Sequence, residues 1–232
     1  MQDRAVKLLH PDADHFVILH TNQCKNIPQN IQALINQIGI ASSNAQGLNH
    51  VITSYSSFMT GENTIYLLLD DQDSMIVGFI KIGSRRLFLW DKMGVQHELK
   101  TVCLLDFFTY PNCQRKGYGK KMIDRLLKDE NKGMEEIPID KPSPLCLSFM
   151  KKHFGLSNFI PQNNNYVVFD QFWESPTFLN KTVRNNQYCP KPLLTPNPKS
   201  KPKITAPRSN QYHRSPQPKR TQLNPITWLP YD

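Results

Sequence analysis

Leu104-Leu105-Asp106-Phe107-Phe108-Thr109 runs, through a short polar turn, into Gln114-Arg115-Lys116-Gly117-Tyr118-Gly119. An apolar strand ends, a glycine-containing turn follows, and a helical pattern opens at Lys120-Lys121-Met122-Ile123. Strand, glycine loop and helix N-terminus together form an anion site, because free backbone N–H groups and the positive end of the helix dipole converge on one point. Glycine lets the backbone come close to a phosphate. A pyrophosphate-bearing cofactor is therefore expected. The spacing is not the dinucleotide-binding G-x-G-x-x-G, and no Lys-Ser or Lys-Thr pair follows as in a P-loop.

Outward from this loop the apolar pattern alternates between sheet and helix. Phe16–Leu19 reads as a first strand, and Ile31, Leu34, Ile35 and Ile38 line one face of a helix from Pro28 to about Gln46. Ile65–Leu69 is a strand, Asp70–Asp73 a turn, and Ile76–Gly83 and Arg86–Trp90 read as the next two strands of an antiparallel meander. Val102–Thr109 is a central strand. Tyr118 to about Lys128 is a helix with Met122, Ile123, Leu126 and Leu127 as its buried stripe. A short strand at Ile137–Asp140, a helix from Ser143 to about Phe154 and a closing strand at Tyr166–Phe169 complete the pattern. Ser143 is a natural N-cap, with Pro144 at the first helical position. The expected fold is α/β, a mixed and mostly antiparallel central sheet flanked by helices.

Composition divides the chain. Eleven of its 18 prolines lie beyond Trp173, and residues 174–232 carry a net charge of +8, which leaves only +1 for residues 1–173. The second segment cannot bury enough apolar surface to offset its ordering entropy. Residues 1–173 are read as one domain and 174–232 as a disordered, proline-rich basic tail, with Ile226–Tyr231 as a candidate docking motif. Five cysteines, Cys24, Cys103, Cys113, Cys146 and Cys189, match no zinc spacing and no secretory leader is evident, so a reducing compartment is expected. No apolar run is long enough to span a bilayer. No metal and no membrane partner are expected.

The loop resembles the (Q/R)-x-x-G-x-(G/A) element with which GCN5-related acetyltransferases hold the pyrophosphate of acetyl-CoA, and the order of elements is that of the same fold. Further blocks narrow the match. These are Gly78–Gly83 with Arg86-Leu87-Phe88, Cys103–Phe108, Ile139-Asp140-Lys141-Pro142-Ser143, Pro161-Gln162-Asn163-Asn164-Asn165 running on to Phe169, and Ala41–Leu48. Together they resemble the α-tubulin N-acetyltransferases, divergent members of that superfamily that acetylate a lysine on the luminal side of microtubules. The resemblance covers residues 1–173, and the tail does not share it.

The resemblance implies acetyl transfer from a thioester to a lysine amine, by direct attack in a ternary complex. A free lysine has a pKa of about 10.4, so the enzyme must accept a proton, directly or through water, and align the amine. Gln114, Arg115, Lys116, Gly117, Tyr118, Gly119 and Lys120 are expected to hold the pyrophosphate. Phe107, Phe108 and Thr109 would bind the pantetheine arm through their backbone. The helix that opens at Ser143 would line the remainder, with Lys151 and Lys152 near phosphate. Asp140, at a strand end before a tight turn, is the first candidate for general base, on condition that burial raises its pKa. Cys103 on the central strand is the second, its alternative being a small buried apolar residue. Gln46 does not titrate and would orient the acceptor lysine or a water. Asp106 reads as structural, paired with a basic neighbour. Arg85 and Arg86 read as hairpin residues facing either an acidic partner or solvent.

The implied partners are α-tubulin in microtubules and acetyl-CoA, for a monomeric protein of the cytoplasm and the microtubule cytoskeleton, including axonemes or cilia. Nucleic acid is not expected, since the tail has too few aromatics for stacking readout. Two other readings stand beside this one. The first is a GCN5-related acetyltransferase with another protein acceptor. The second is a microtubule-binding protein that acts mainly through its basic tail, which would hold a polyanion electrostatically.

Overall fold

The structure is a computed structural model that describes residues 6, 9–23 and 27–185. Seven strands form one sheet in the order β1-β2-β3-β4-β5-β7-β6. They are β1 Phe16–His20, β2 Asn63–Leu69, β3 Ile76–Trp90, β4 Gln96–Thr109, β5 Ile139–Asp140, β6 Phe159–Pro161 and β7 Tyr166–Phe169. The helices are α1 Gln29–Ala45, α2 Tyr55–Met59, α3 Tyr118–Glu130, α4 Pro144–Phe154 and α5 Pro176–Asn185. All pairings are antiparallel except β4 with β5, which is parallel.

The helices cover both faces. Ile31, Leu34, Ile35 and Ile38 of α1 pack with Phe58, Ile65, Leu67, Phe79 and Phe108 on one face. Met122, Ile123 and Leu126 of α3 and Met150 of α4 pack with Tyr66, Ile80, Ile82 and Leu104 on the other. Each fully buried side chain of this size contributes about 1.5–3 kcal/mol, which makes the two apolar stripes the main source of sheet–helix cohesion. Ser143 caps α4, its Oγ accepting from the Cys146 N–H at 3.2 Å, with Pro144 at the first helical position.

Several expectations are corrected. Ile76–Trp90 is one continuous strand rather than two, so Arg85 and Arg86 lie mid-strand, not at a turn. Arg86 pairs with Glu98 across the β3–β4 ladder at 2.8 Å, and Arg85 donates to Asn63 Oδ1 at 2.7 Å and to the Ser84 carbonyl at 2.9 Å. The central strand begins at Gln96, not Val102. Tyr166–Phe169 does not end the sheet, because β6 pairs on its outer side. The short α2 falls where no element was expected.

Ordered structure also continues past Trp173. Phe172, Trp173 and Phe178 pack on Leu87, Leu89, Leu99 and Leu105 of the β3–β4 hairpin. The Thr177 N–H donates to Glu136 Oε2 at 3.0 Å. The apolar face of the long hairpin explains this, because it would face water without those aromatics. Residues 186–232, including the Ile226–Tyr231 motif, lie outside the described residues, as do Cys24 and Cys189. Cys103, Cys113 and Cys146 are joined in no disulfide among the described residues. No helix among the described residues is long and apolar enough to cross a membrane.

Candidate active site

The site begins where β4 and β5 part. Leu104 pairs with Ile139, its N–H donating to the Pro138 carbonyl at 2.9 Å, and no further β4–β5 pair forms among the described residues. From Asp106 to Thr109, β4 keeps β3 on one edge and has no strand on the other. Backbone polar groups on that open edge are available to an extended ligand. A cleft opens there, lined by Gln46, Ile52, Leu104–Phe107, Ile139–Ser143 and Cys146.

A register irregularity shapes this cleft. Lys81 of β3 pairs with Asp106, and the next residue, Ile82, pairs with Leu104, so Leu105 is an extra residue on β4. A β-bulge of this kind re-aims the side chains that follow it. Cys103 and Leu105 point to one face and Leu104 to the other. Without the bulge Asp106 would share the Leu104 face, under α3 and α4. With it, Asp106 turns toward α1. Ser42 donates to its Oδ1 at 3.0 Å, Gln46 Nε2 donates to the same oxygen at 3.4 Å, and Thr53 donates to Oδ2 at 2.7 Å. Burial pushes the Asp106 carboxyl above the usual range, opposed by the Thr53 and Ser42 hydrogen bonds, the Lys81 cation and Gln46. Burial lowers Lys81 in turn, opposed by Asp106, and Lys81 Nζ donates to Ser57 Oγ at 3.0 Å. The basic neighbour of Asp106 is Lys81, opposite it in register, which acts on the carboxylate through its charge while its Nζ bonds Ser57.

Asp140 ends β5 and lines the cleft. Lys141, with φ +42°, turns the chain sharply after it. It is half-buried, and among the described residues its carboxylate accepts no hydrogen bond. Burial raises its pKa, opposed by the positive charges of Lys141 and Arg85. It pairs in register with Tyr166 of β7, whose phenol is pushed up by burial and by the charges of Asp140 and Cys103. Cys146 also lines the cleft, and burial pushes its thiol up to about 12.

Cys103 sits differently. It is 0% exposed, packed among Leu87, Leu99, Leu105 and Val168, and its Sγ donates to the Thr101 carbonyl at 3.5 Å. The residue is not part of the cleft wall. Gln46, the C-cap of α1, does reach the cleft.

The glycine loop meets its expected geometry. Gly117, at φ +89°, is the N-cap of α3, and no side chain caps the helix and no acidic residue lies in its first turn. Open space surrounds the position that a Cβ of Gly117 would occupy. The first N–H groups of α3 are therefore free for an anion. Arg115 adopts φ +60°, and both Arg115 and Lys116 are exposed. Gln114 Nε2 donates to the Thr109 carbonyl at 3.1 Å and so braces the loop against the end of β4. Lys120 pairs with Asp124 and lies 5.1 Å from the Phe154 ring centroid. Gly119 approaches Phe107 and Phe149, which meet edge-to-face with ring centroids 5.3 Å apart. The side chains of Phe107 and Phe108 thus belong to the core, while their backbone lies on the open edge of β4. Lys151 and Lys152 are exposed in the last turn of α4, where their charge complements the helix dipole. The arrangement offers an anion free N–H groups beside the exposed Arg115 and Lys116, and offers an extended chain the open edge of β4 along Phe107–Thr109.

Among the described residues no group of three His, Cys, Asp or Glu side chains is placed to hold a metal ion. The signal missed in the sequence is the set Ser42, Thr53 and Lys81, small or charged residues scattered through separate elements with no spacing rule to connect them.

Comparison with known proteins gives a consistent set of relatives. A family model described as "GNAT acetyltransferase, Mec-17" matches residues 4–194. The alpha-tubulin N-acetyltransferase of Tetrahymena thermophila is 39% identical over 147 residues, which are 63% of this chain and 36% of that protein. Alpha-tubulin N-acetyltransferase 1 of Danio rerio is 39% identical over 153 residues, 64% of this chain and 51% of the relative. The alpha-tubulin N-acetyltransferase of Aedes aegypti is 35% identical over 160 residues, 68% of this chain and 59% of the relative. The chain thus spans only part of the length of each of these relatives.

Proposed function

The chain belongs to the Mec-17 family of GNAT acetyltransferases, and from that premise we propose that it transfers the acetyl group of acetyl-CoA to a lysine side chain of α-tubulin. The observation that carries the reading is the parting of β4 and β5 beside an uncapped α3 N-terminus, with the half-buried Asp140 on the cleft wall. The relatives named for tubulin acetylation support the choice of acceptor. We place the reaction on the luminal face of microtubules and the protein in the cytoplasm with the microtubule cytoskeleton.

Acetyl-CoA supplies an activated thioester carbonyl, to which the lysine nitrogen forms its new bond as the carbon–sulfur bond breaks, and the departing thiolate takes up the second proton that the nitrogen then loses. The chain's own residues do the rest. The N–H groups at the start of α3, with Arg115 and Lys116, hold the pyrophosphate. The open edge of β4 from Phe107 to Thr109 orients the arm, while Ser143, as cap, fixes the start of α4 along the cleft. Asp140 accepts the proton that the lysine ammonium loses, directly or through a water. Its burial and its lack of a hydrogen-bond donor favour this, since both raise its basicity above that of a solvated carboxylate. Gln46 accepts an N–H of the incoming amine. Amine and thioester meet in one ternary complex, with no acetylated enzyme between them.

The test is incubation of the purified chain with acetyl-CoA and polymerised tubulin, followed by mass-spectrometric mapping of the modified lysine. Incorporation on a single α-tubulin lysine is the expected result. Incorporation on histones or peptides but not on tubulin would move the acceptor to another protein. Microtubule pelleting without any transfer would favour the binding-protein reading.

A further inference from the structure

We infer that Asp106 is a positioning residue that fixes the side-chain amide of Gln46, with its nitrogen held inward and its oxygen presented to the acceptor in the cleft. The inference rests on the acetyltransferase reading above and assigns Asp106 a part in it that goes beyond fold stability.

The argument is one of donor and acceptor polarity. Gln46 Nε2 donates to Ser42 Oγ at 2.9 Å and to Asp106 Oδ1 at 3.4 Å. Ser42 has one hydroxyl proton, and it goes to Asp106 Oδ1 at 3.0 Å. Toward Gln46, Ser42 therefore has only lone pairs to offer, and the carboxylate likewise only accepts. An amide turned the other way would aim its oxygen at two acceptors, one of them anionic. Gln46 itself is exposed, but the Ser42 hydroxyl and the Asp106 carboxylate that it meets are buried, and a flip would set its oxygen against their lone pairs. Ser42 and Thr53 are 0% exposed, Asp106 6% and Lys81 4%. Lys81, opposite Asp106 in register, keeps a cation beside the carboxylate, and Thr53 occupies its other oxygen. With Nε2 anchored, Oε1 is the end of the amide left for the cleft that Gln46 lines. An acceptor ammonium has N–H donors and no acceptor, so only this orientation of Gln46 can receive it.

The bulge at Leu105 makes the arrangement, because it turns Asp106 toward α1. A purely structural aspartate would need only Ser42 and Thr53. The third bond, to a side chain that lines the cleft, is the part that a structural role does not require.

The test uses the full chain with Asp106→Asn and, as a second variant that leaves the buried charge in place, Ser42→Ala. In 15N-labelled protein the Gln46 side-chain NH2 signals, identified by their loss in Gln46→Ala, are expected at shifted, protected positions. They should move toward those of a free glutamine in both variants. With the acceptor, Asp106→Asn is expected to lower kcat/KM by about tenfold or more while acetyl-CoA affinity stays within about twofold. In a Gln46→Ala background the same change should cost less than about threefold, since its effect passes through Gln46. Gln46 signals unmoved in both variants, or equal losses of kcat/KM with and without Gln46, would overturn the inference. A wild-type protein that transfers nothing to tubulin would instead overturn the substrate reading, and the Gln46 signals would still decide the positioning role.

Discussion

Gly39 of α1 lies against Thr53 so closely that a Cβ at residue 39 would sit 1.6 Å from the Thr53 carbonyl oxygen. That approach brings Thr53 Oγ1 within 2.7 Å of Asp106 Oδ2. Gly39→Ala must push α1 and the Thr53 segment apart, because the obstructing atom is backbone and cannot rotate away. The expected cost is about 2–3 kcal/mol, read as a lower midpoint in urea unfolding with an unchanged slope. Stability equal to that of the wild type would mean that the approach carries no strain.

Asp140→Asn is expected to lower kcat by about a hundredfold or more while acetyl-CoA binds as before. A base works only when deprotonated, and burial raises Asp140 above the ordinary aspartate range against the pull of Lys141 and Arg85. The wild-type kcat/KM should therefore fall as pH drops through a midpoint above that range, and this acid limb should vanish in the variant. A pH–rate profile on tubulin checks both points, and an undiminished rate in Asp140→Asn would remove this carboxylate from the proton's path.

Cys103→Ala tests the other candidate base. The thiol is wholly enclosed, so its removal should cost about 1 kcal/mol of stability through a small void and leave kcat within about threefold, an expected margin set by its place outside the cleft wall. Thermal unfolding and steady-state rates separate the two. A large drop in kcat at unchanged stability would return the thiol to the chemistry.

Gly117→Ala addresses the donor side. The residue holds φ +89° at the N-cap of α3, a conformation that costs an L side chain about 1–2 kcal/mol. The loop should relax away from it and misalign the first N–H groups of the helix. Calorimetry should then show weaker acetyl-CoA binding by about tenfold, with little change in the KM for tubulin. Arg115→Ala should weaken the same affinity, less so at high salt, because the lost attraction is screened there.

Much of the fold was legible because its cues are local. Met122, Ile123 and Leu126 recur at helical spacing, Ser143-Pro144 is a start signal, and Gly117 and Gly119 punctuate a strand-to-helix turn. The corrections fall where local cues mislead. Arg85 and Arg86 interrupt an apolar run and look like a turn, yet each is satisfied within the ladder, by Asn63 and by Glu98. The ordered helix after Trp173 was hidden by a proline-rich composition. It is held by Phe178 and Thr177, whose partners lie on a distant hairpin and on Glu136.

The sequence by itself determined the class of fold and the turn from strand through glycine loop to helix, since periodicity, caps and loop chemistry are written in neighbours a few positions apart. Tertiary structure decided which residues meet. Gln46 and Asp106 are 60 residues apart in the chain and share a hydrogen bond. One extra residue on β4 turns Asp106 to the α1 face and leaves Cys103 enclosed on the hairpin side. A period-2 pattern carries no mark of a bulge, because an inserted residue changes every facing after it without changing the residue types that are read. Burial of Asp140 follows from the same assembly: a strand end is solvated in isolation, and only the packing of β5 between β4 and β7 half-buries its carboxylate and raises its pKa.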